Sequence, residues 1–145
     1  MYFDEDLVLD IRLNTLFNYV DKFIIAEATH DHAGKEKKLN FNLNNFSKFK
    51  NKIEYLVIDD LPLKVNSDKN NWHENHMRDQ FQRNSLSKGY INSHDDDLIM
   101  ISDIDEIPDP KKINLFDFKK KYACFLQQNF QSKLNLLNIT DGYWP

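Results

Sequence analysis

Apolar residues fall along this chain in two kinds of pattern, and the two alternate. Phe23-Ile24-Ile25-Ala26, Ile53 to Ile58 and Leu98-Ile99-Met100-Ile101 are short and largely uninterrupted, as strands covered on both faces are. Between them the apolar positions recur at helical spacing. Asp4-Glu5-Asp6 opens a helix whose Leu7, Ile11 and Leu16 share a side with Leu9 and Leu13 nearby, and acids in its first turn suit the helix dipole. Trp72 to Ser87 reads as a second helix, stopped by Gly89. Tyr2 and Phe3 read as the tail of a first strand, Leu43 to Phe49 as a short helix, and Thr29 to Lys38 and Leu61 to Asn71 as loops. After Pro108 and Pro110 a helix is expected around Ile113 to Lys121. Tyr122 to Leu126 and a second extended run near Phe130 to Leu137 then suggest a hairpin or an edge excursion. Strand and helix in alternation predict an α/β fold with a mostly parallel sheet and helices on both faces.

The expected strands share an ending. Phe23 to Ala26 runs into Glu27, Ile53 to Ile58 into Asp59-Asp60, and Leu98 to Ile101 into Ser102-Asp103-Ile104-Asp105-Glu106. A parallel sheet would gather these acids along its carboxyl edge, where ligands bind in open α/β sheets. The last of them is the most informative. Side chains two apart on an extended segment point the same way, so Asp103 and Asp105 would face together while Ile104 turns back to the core. Two close carboxylates repel, and a hard divalent cation with open positions, Mg2+ or Mn2+ shared with a substrate's phosphates, relieves this. A bare Asp-x-Asp is more often a solvated turn, but the apolar run before it and Glu106-Ile107-Pro108 after it favour a site.

Other groups are weaker on their own. Glu74 with Arg78 and Asp79 with Arg83 are acid-first pairs four apart, which surface stabilisation alone explains. Asn84 falls seven residues after Met77 and three after Phe81, on the stripe expected to face the sheet, where an amide needs a partner. The loop from Thr29 through His30, His32 and Gly34 to Lys38 mixes donors with lysines and could line a diphosphate or a base, but it lacks P-loop spacing. Zinc at His30, His32, His73 and His76 is disfavoured by the absence of His-Glu-x-x-His spacing and of cysteine support.

Composition narrows the partners. The 145 residues make one domain, and the formal net charge of −4 gives no reason to expect nucleic acid or an anionic membrane. The single cysteine, Cys124, excludes an internal disulfide and reads as a packed apolar side chain. With no apolar h-region and no spanning run, the chain as given reads as soluble and cytoplasmic. Both ends are abrupt, which suggests a portion of a longer protein, truncated at both ends, whose upstream part could carry an anchor.

Four stretches, in order, resemble glycosyltransferase family 17: FDEDLVLDIRLNTLFNYVDKFIIAEATHDHAGKEKK, YLVIDDLP, WHENHMRDQFQRNSL and DDDLIMISDIDEIPDP, the last most closely. The resemblance spans nearly the whole chain. It implies a GT-A fold, a UDP-sugar donor, most simply UDP-N-acetylglucosamine, Mn2+ or Mg2+ at the diphosphate, and inverting transfer to a glycan hydroxyl. Carried over by position, Asp103 and Asp105 would be the metal aspartates, Asp103 also binding nucleotide, with Glu106 beside them. Glu27, Thr29 and His30 would stand at the nucleotide end, and Arg83 with Asn84 near the diphosphate or sugar. Inverting transfer needs a cation for the departing diphosphate and a base for the acceptor hydroxyl. The acids supply the first; nothing after Tyr122 identifies the second, which is expected beyond Pro145. Two rivals remain, a non-catalytic nucleotide- or carbohydrate-binding remnant and a phosphatase of the haloacid dehalogenase type. The latter's motif wants Thr or Val where Ile107 stands, and normally follows the first strand.

Overall fold

The computed structural model describes residues 1–62, 71–130, 136–139 and 143–144. Its chain contacts divide it into two compact units, Met1–Asp105 and Glu106–Pro145.

The first unit is a small α/β arrangement around a parallel pair of strands, β1 (Phe23–Ala28) and β2 (Ile53–Ile58), paired from Phe23 with Ile53 to Ala28 with Ile58. Both faces of the pair are covered, and the two-residue period of a strand sorts side chains between them. Phe23, Ile25, Ile53 and Tyr55 meet Leu9, Leu13 and Leu16 of helix α1 (Asp6–Leu16), together with Phe46 and Phe49 of the 3-10 helix Leu43–Phe49. Ile24, Ala26, Ala28, Leu56 and Ile58 pack on the opposite side with Phe81 of helix α2 (Asn71–Ser85) and Leu86 of the following 3-10 turn, Leu86–Gly89. The apolar runs of β1 and β2 thus reflect two-sided burial.

Local chemistry sets the connections. Asp6 lies in the first turn of α1, and beyond its end Lys52 Nζ donates to the carbonyls of Phe17 (2.8 Å) and Val20 (2.7 Å), satisfying acceptors that a helix end leaves open. Asn42 caps the 3-10 helix, its side chain accepting from the Asn44 amide. Gly34, at φ +79°, makes the turn in the loop after β1, where the Gly34 amide donates to the Asp31 carbonyl.

Several expectations need correction. Leu98 to Ile101 form no strand: among the described residues only β1 and β2 pair in this sheet, and Leu98, Ile99 and Ile101 are 40 to 50% exposed. An apolar run becomes a central strand only when neighbours supply its ladder. Tyr2 and Phe3 are not a strand either, although the Tyr2 amide donates to the Ala26 carbonyl (2.9 Å). In α1 the buried stripe is Leu9, Leu13 and Leu16, while Leu7 and Ile11 are exposed. Helix α2 ends at Ser85 and tightens to 3-10 up to Gly89.

In the second unit the helix expected around Ile113 to Lys121 is only a 3-10 segment, Pro110–Leu115, opened by Asp109 capping the Lys111 amide. Tyr122 to Leu126 form no strand; Gln127–Gln128 (β3) pairs antiparallel with Tyr143–Trp144 (β4) instead, and Phe130 bridges Leu137 in the same sense. The loop expectation for 63–70 and the middle of the Phe130 to Leu137 run lie outside the described residues. Cys124 is an exposed thiol and not a packed one.

Candidate functional site

The loop leaving β1 is held from below by a buried carboxylate. Glu27 is fully buried, and its Oε1 accepts from Lys37 Nζ (2.5 Å) and the Asn40 amide (2.8 Å), its Oε2 from the Phe41 amide (3.0 Å) and the Tyr55 hydroxyl (2.9 Å). These four bonds use the roughly four lone-pair sites of a carboxylate. Burial pushes the Glu27 pKa up, but the bonds to Lys37, Asn40, Phe41 and Tyr55 outweigh it and leave the group below its ordinary value. Tyr55, half-buried, has its hydroxyl pKa raised by that burial and by its bond to the Glu27 anion. Glu27 therefore fastens residues 37–41 to the sheet.

From above, the same loop is clamped by Arg78. This guanidinium is buried on the inner side of α2 and donates to the carbonyls of Pro62 (3.1 Å) and His32 (3.0 Å) and to the Glu74 carboxylate (3.0 Å). It lies against Gly34, where an added Cβ would come within 3.1 to 3.3 Å of it. The most buried residues of α2 are Arg78, Gln82 and Ser85; of the expected Met77, Phe81 and Asn84, Phe81 packs against the sheet while Met77 and Asn84 are exposed. Asn84 is exposed and does not face the sheet; a polar stripe inside a helix defeats a reading based on apolar spacing.

The acidic segment is reached by two arginines. Arg83 donates to both carboxylate oxygens of Asp103 (3.0 and 3.2 Å) and stands 4.0 Å from Asp79. Arg12, from α1, donates to the Asp103 carbonyl (3.0 Å) and to Ser102 Oγ (2.7 Å). Ile104 packs against the α1-side core, as expected, but Ile104 and Asp105 lie in a turn and not on the extended segment whose two-residue alternation was to turn Asp103 and Asp105 the same way. Asp105 is exposed and carries no hydrogen bond or ion pair among the described residues.

These segments line one cleft of about 660 Å3 in the first unit. Asp103 and Asp105 come from the acidic segment, His30 and His32 from the loop after β1, and Asp79 and Gln82 from α2. Its volume lies within the range of small-molecule sites. His32 Nε2 meets Gln82 Oε1 at 3.3 Å and Asp79 Oδ1 at 3.8 Å, and His30 Nδ1 meets Thr29 Oγ1 at 3.0 Å. Thr29 also prolongs the sheet, its amide donating to the Ile58 carbonyl (3.0 Å). Asp59 and Asp60 do not line the cleft, and Asp60 pairs with Lys88 instead (3.1 Å). The structure therefore brings together His30, Asp103 and Asp105, with Thr29 and Arg83 one contact away, and leaves Asn84 and the buried Glu27, both expected at the site, outside the cleft.

A family model describing glycosyltransferase family 17 matches residues 1–135 of the 145. The chain belongs to that family. It is thus a glycosyltransferase by descent, and membership implies a sugar donor and an acceptor. No curated protein and no solved structure matches it. Among the described residues no helix is long and apolar enough to cross a membrane.

Sequence reasoning missed Arg12, Arg78, Lys37 and Gln82. Spacing pairs Arg78 with Glu74, yet it carries no sign that the pair is buried; Arg12 looks like any polar residue of an amphipathic helix.

Proposed function

We propose that the cleft of the first unit is the donor site, taking a UDP-sugar, most simply UDP-N-acetylglucosamine, with Mn2+ or Mg2+, for inverting transfer to a glycan hydroxyl on a GT-A-like framework. The observation that carries the reading is that Asp103 and Asp105 line the same cleft as His30 and His32. A diphosphate and a carboxylate pair repel, and a divalent cation between them reverses the sign.

The donor set fits such an ion. Among the described residues no three His, Cys, Asp or Glu side chains converge, which tells against zinc and any all-protein cage. Mg2+ and Mn2+ at nucleotide sites need only one or two carboxylates, the rest being phosphate oxygens and water. Asp105 would hold the ion, with Asp103 beside it. When bound, the cation supplies Lewis-acid stabilisation of the departing diphosphate.

The chain's own residues do the positioning. Arg83 neutralises Asp103 and offers guanidinium charge at the diphosphate end of the cleft. His30 presents its imidazole to the nucleotide, with the Thr29 hydroxyl bonded behind it, on a loop that Glu27 and Arg78 hold in place.

Calorimetric titration of UDP into the chain with and without Mn2+ tests this. Binding is expected only with the metal, and Asp105→Asn is expected to weaken it by at least about tenfold, because the amide keeps the shape and removes a ligand charge. Metal-independent binding, or no binding to folded chain, would contradict the reading.

A further inference from the structure

We infer that Arg12 is a positioning residue, the fixture that sets the backbone of the acidic segment so that Asp105 is presented to the cleft. This rests on the donor-site reading for its functional consequence, but its structural content stands alone. The segment from Leu98 to Asp103 has no ladder among the described residues, and its apolar side chains are half-exposed, so neither sheet pairing nor full burial holds it.

Three successive residues, 102 to 104, are nevertheless tied, two of them to the same guanidinium. Arg12 takes Ser102 through its hydroxyl and Asp103 through its carbonyl. Arg83 takes the Asp103 carboxylate, and Ile104 is seated in the α1-side core. Asp105 follows without a tie of its own.

Of these, Arg12 alone grips the main chain. A guanidinium does this because its donors form a rigid planar fork that spans a carbonyl and a hydroxyl at once; an ammonium is a point charge and cannot hold that spacing. The helix carrying it is a firm base, since Leu9, Leu13 and Leu16 on its inner side are almost completely buried. Arg12 therefore links the packing of α1 to the placement of residues 102–105, some ninety positions on. Arg83, whose partners are the carboxylates of Asp103 and Asp79, sets charge and not backbone.

The test is backbone 15N relaxation and calorimetry on the whole chain carrying Arg12→Ala, Arg12→Lys or Ser102→Ala. Order parameters at residues 102–105 are expected to fall from about 0.85 to below about 0.6 in both Arg12 variants, and less in Ser102→Ala, while β1 and β2 stay rigid. UDP affinity in Mn2+ is expected to fall in the same order, with lysine failing to rescue. Unchanged order parameters at 102–105 would overturn the inference, as would lowered ones with undiminished affinity. If Arg12→Ala loosens the chain throughout, Ser102→Ala, which removes one contact and no charge, decides between local and global effects. Lowered order parameters in a chain that binds no UDP even as wild type would sustain the positioning role and sink the donor reading, so the two fail separately.

Discussion

At the scale of single residues, Glu27 shows how a correct sequence signal can carry a different meaning. An acid at the end of an apolar strand was expected to face ligand, yet its two oxygens are saturated by four protein donors. Glu27→Gln is expected to cost about 3 kcal/mol, because it strips a buried pair of one charge and turns an amide toward donors. Chemical denaturation of the two proteins measures this. The acid dependence follows in sign. A carboxylate whose folded pKa lies below its unfolded value stabilises fully above that value and loses its contribution as pH falls through the folded one. Stability should thus decline below the ordinary value of 4.5, and less so in Glu27→Gln. Asp103 and Asp105 were legible because their pattern depends only on neighbours in sequence. Arg12 was not, because its partners lie ninety residues away.

At the scale of elements, β1 and β2 were legible to within two residues, since an apolar run bounded by charge has few other solutions. Helix α2 was legible in extent but only partly in its buried face, because Arg78 and Gln82 are buried there while the expected Met77 and Asn84 are exposed. The third run, Leu98 to Ile101, has the right residues for a strand and no pairing in the described chain, which no local pattern reveals. Two glycines test the packing of these elements. Gly34→Ala is expected to destabilise by about 1 to 2 kcal/mol, since a side chain at φ +79° is strained and its Cβ meets the bonded Arg78 guanidinium. Gly89→Ala is expected to cost about 1 to 3 kcal/mol for a different reason, a Cβ 2.6 Å from Ile24 on β1. Thermal unfolding distinguishes them from wild type, and removing the clash with Ile24→Ala should restore part of the loss in the Gly89 variant only.

At the scale of the whole molecule, what stands is a glycosyltransferase family 17 chain with a two-faced parallel pair and a cleft into which four separate stretches of sequence feed. Membership was legible because motifs in fixed order survive where pairwise identity does not. The cleft's composition was only half legible, since loops, acids and Arg83 announce themselves while Arg12 and Arg78 do not. The central claim is that nucleotide and metal meet in this cleft, and Mn2+ itself can report the place, because its unpaired electrons broaden the NMR signals of nearby nuclei. Mn2+ at trace level with excess UDP-N-acetylglucosamine should broaden the amides of residues 30–32, 79, 82 and 103–105. The amides around Lys22 and Glu54, paired outside the cleft, should stay sharp. Broadening centred elsewhere, or equal broadening with and without the nucleotide sugar, would contradict the account.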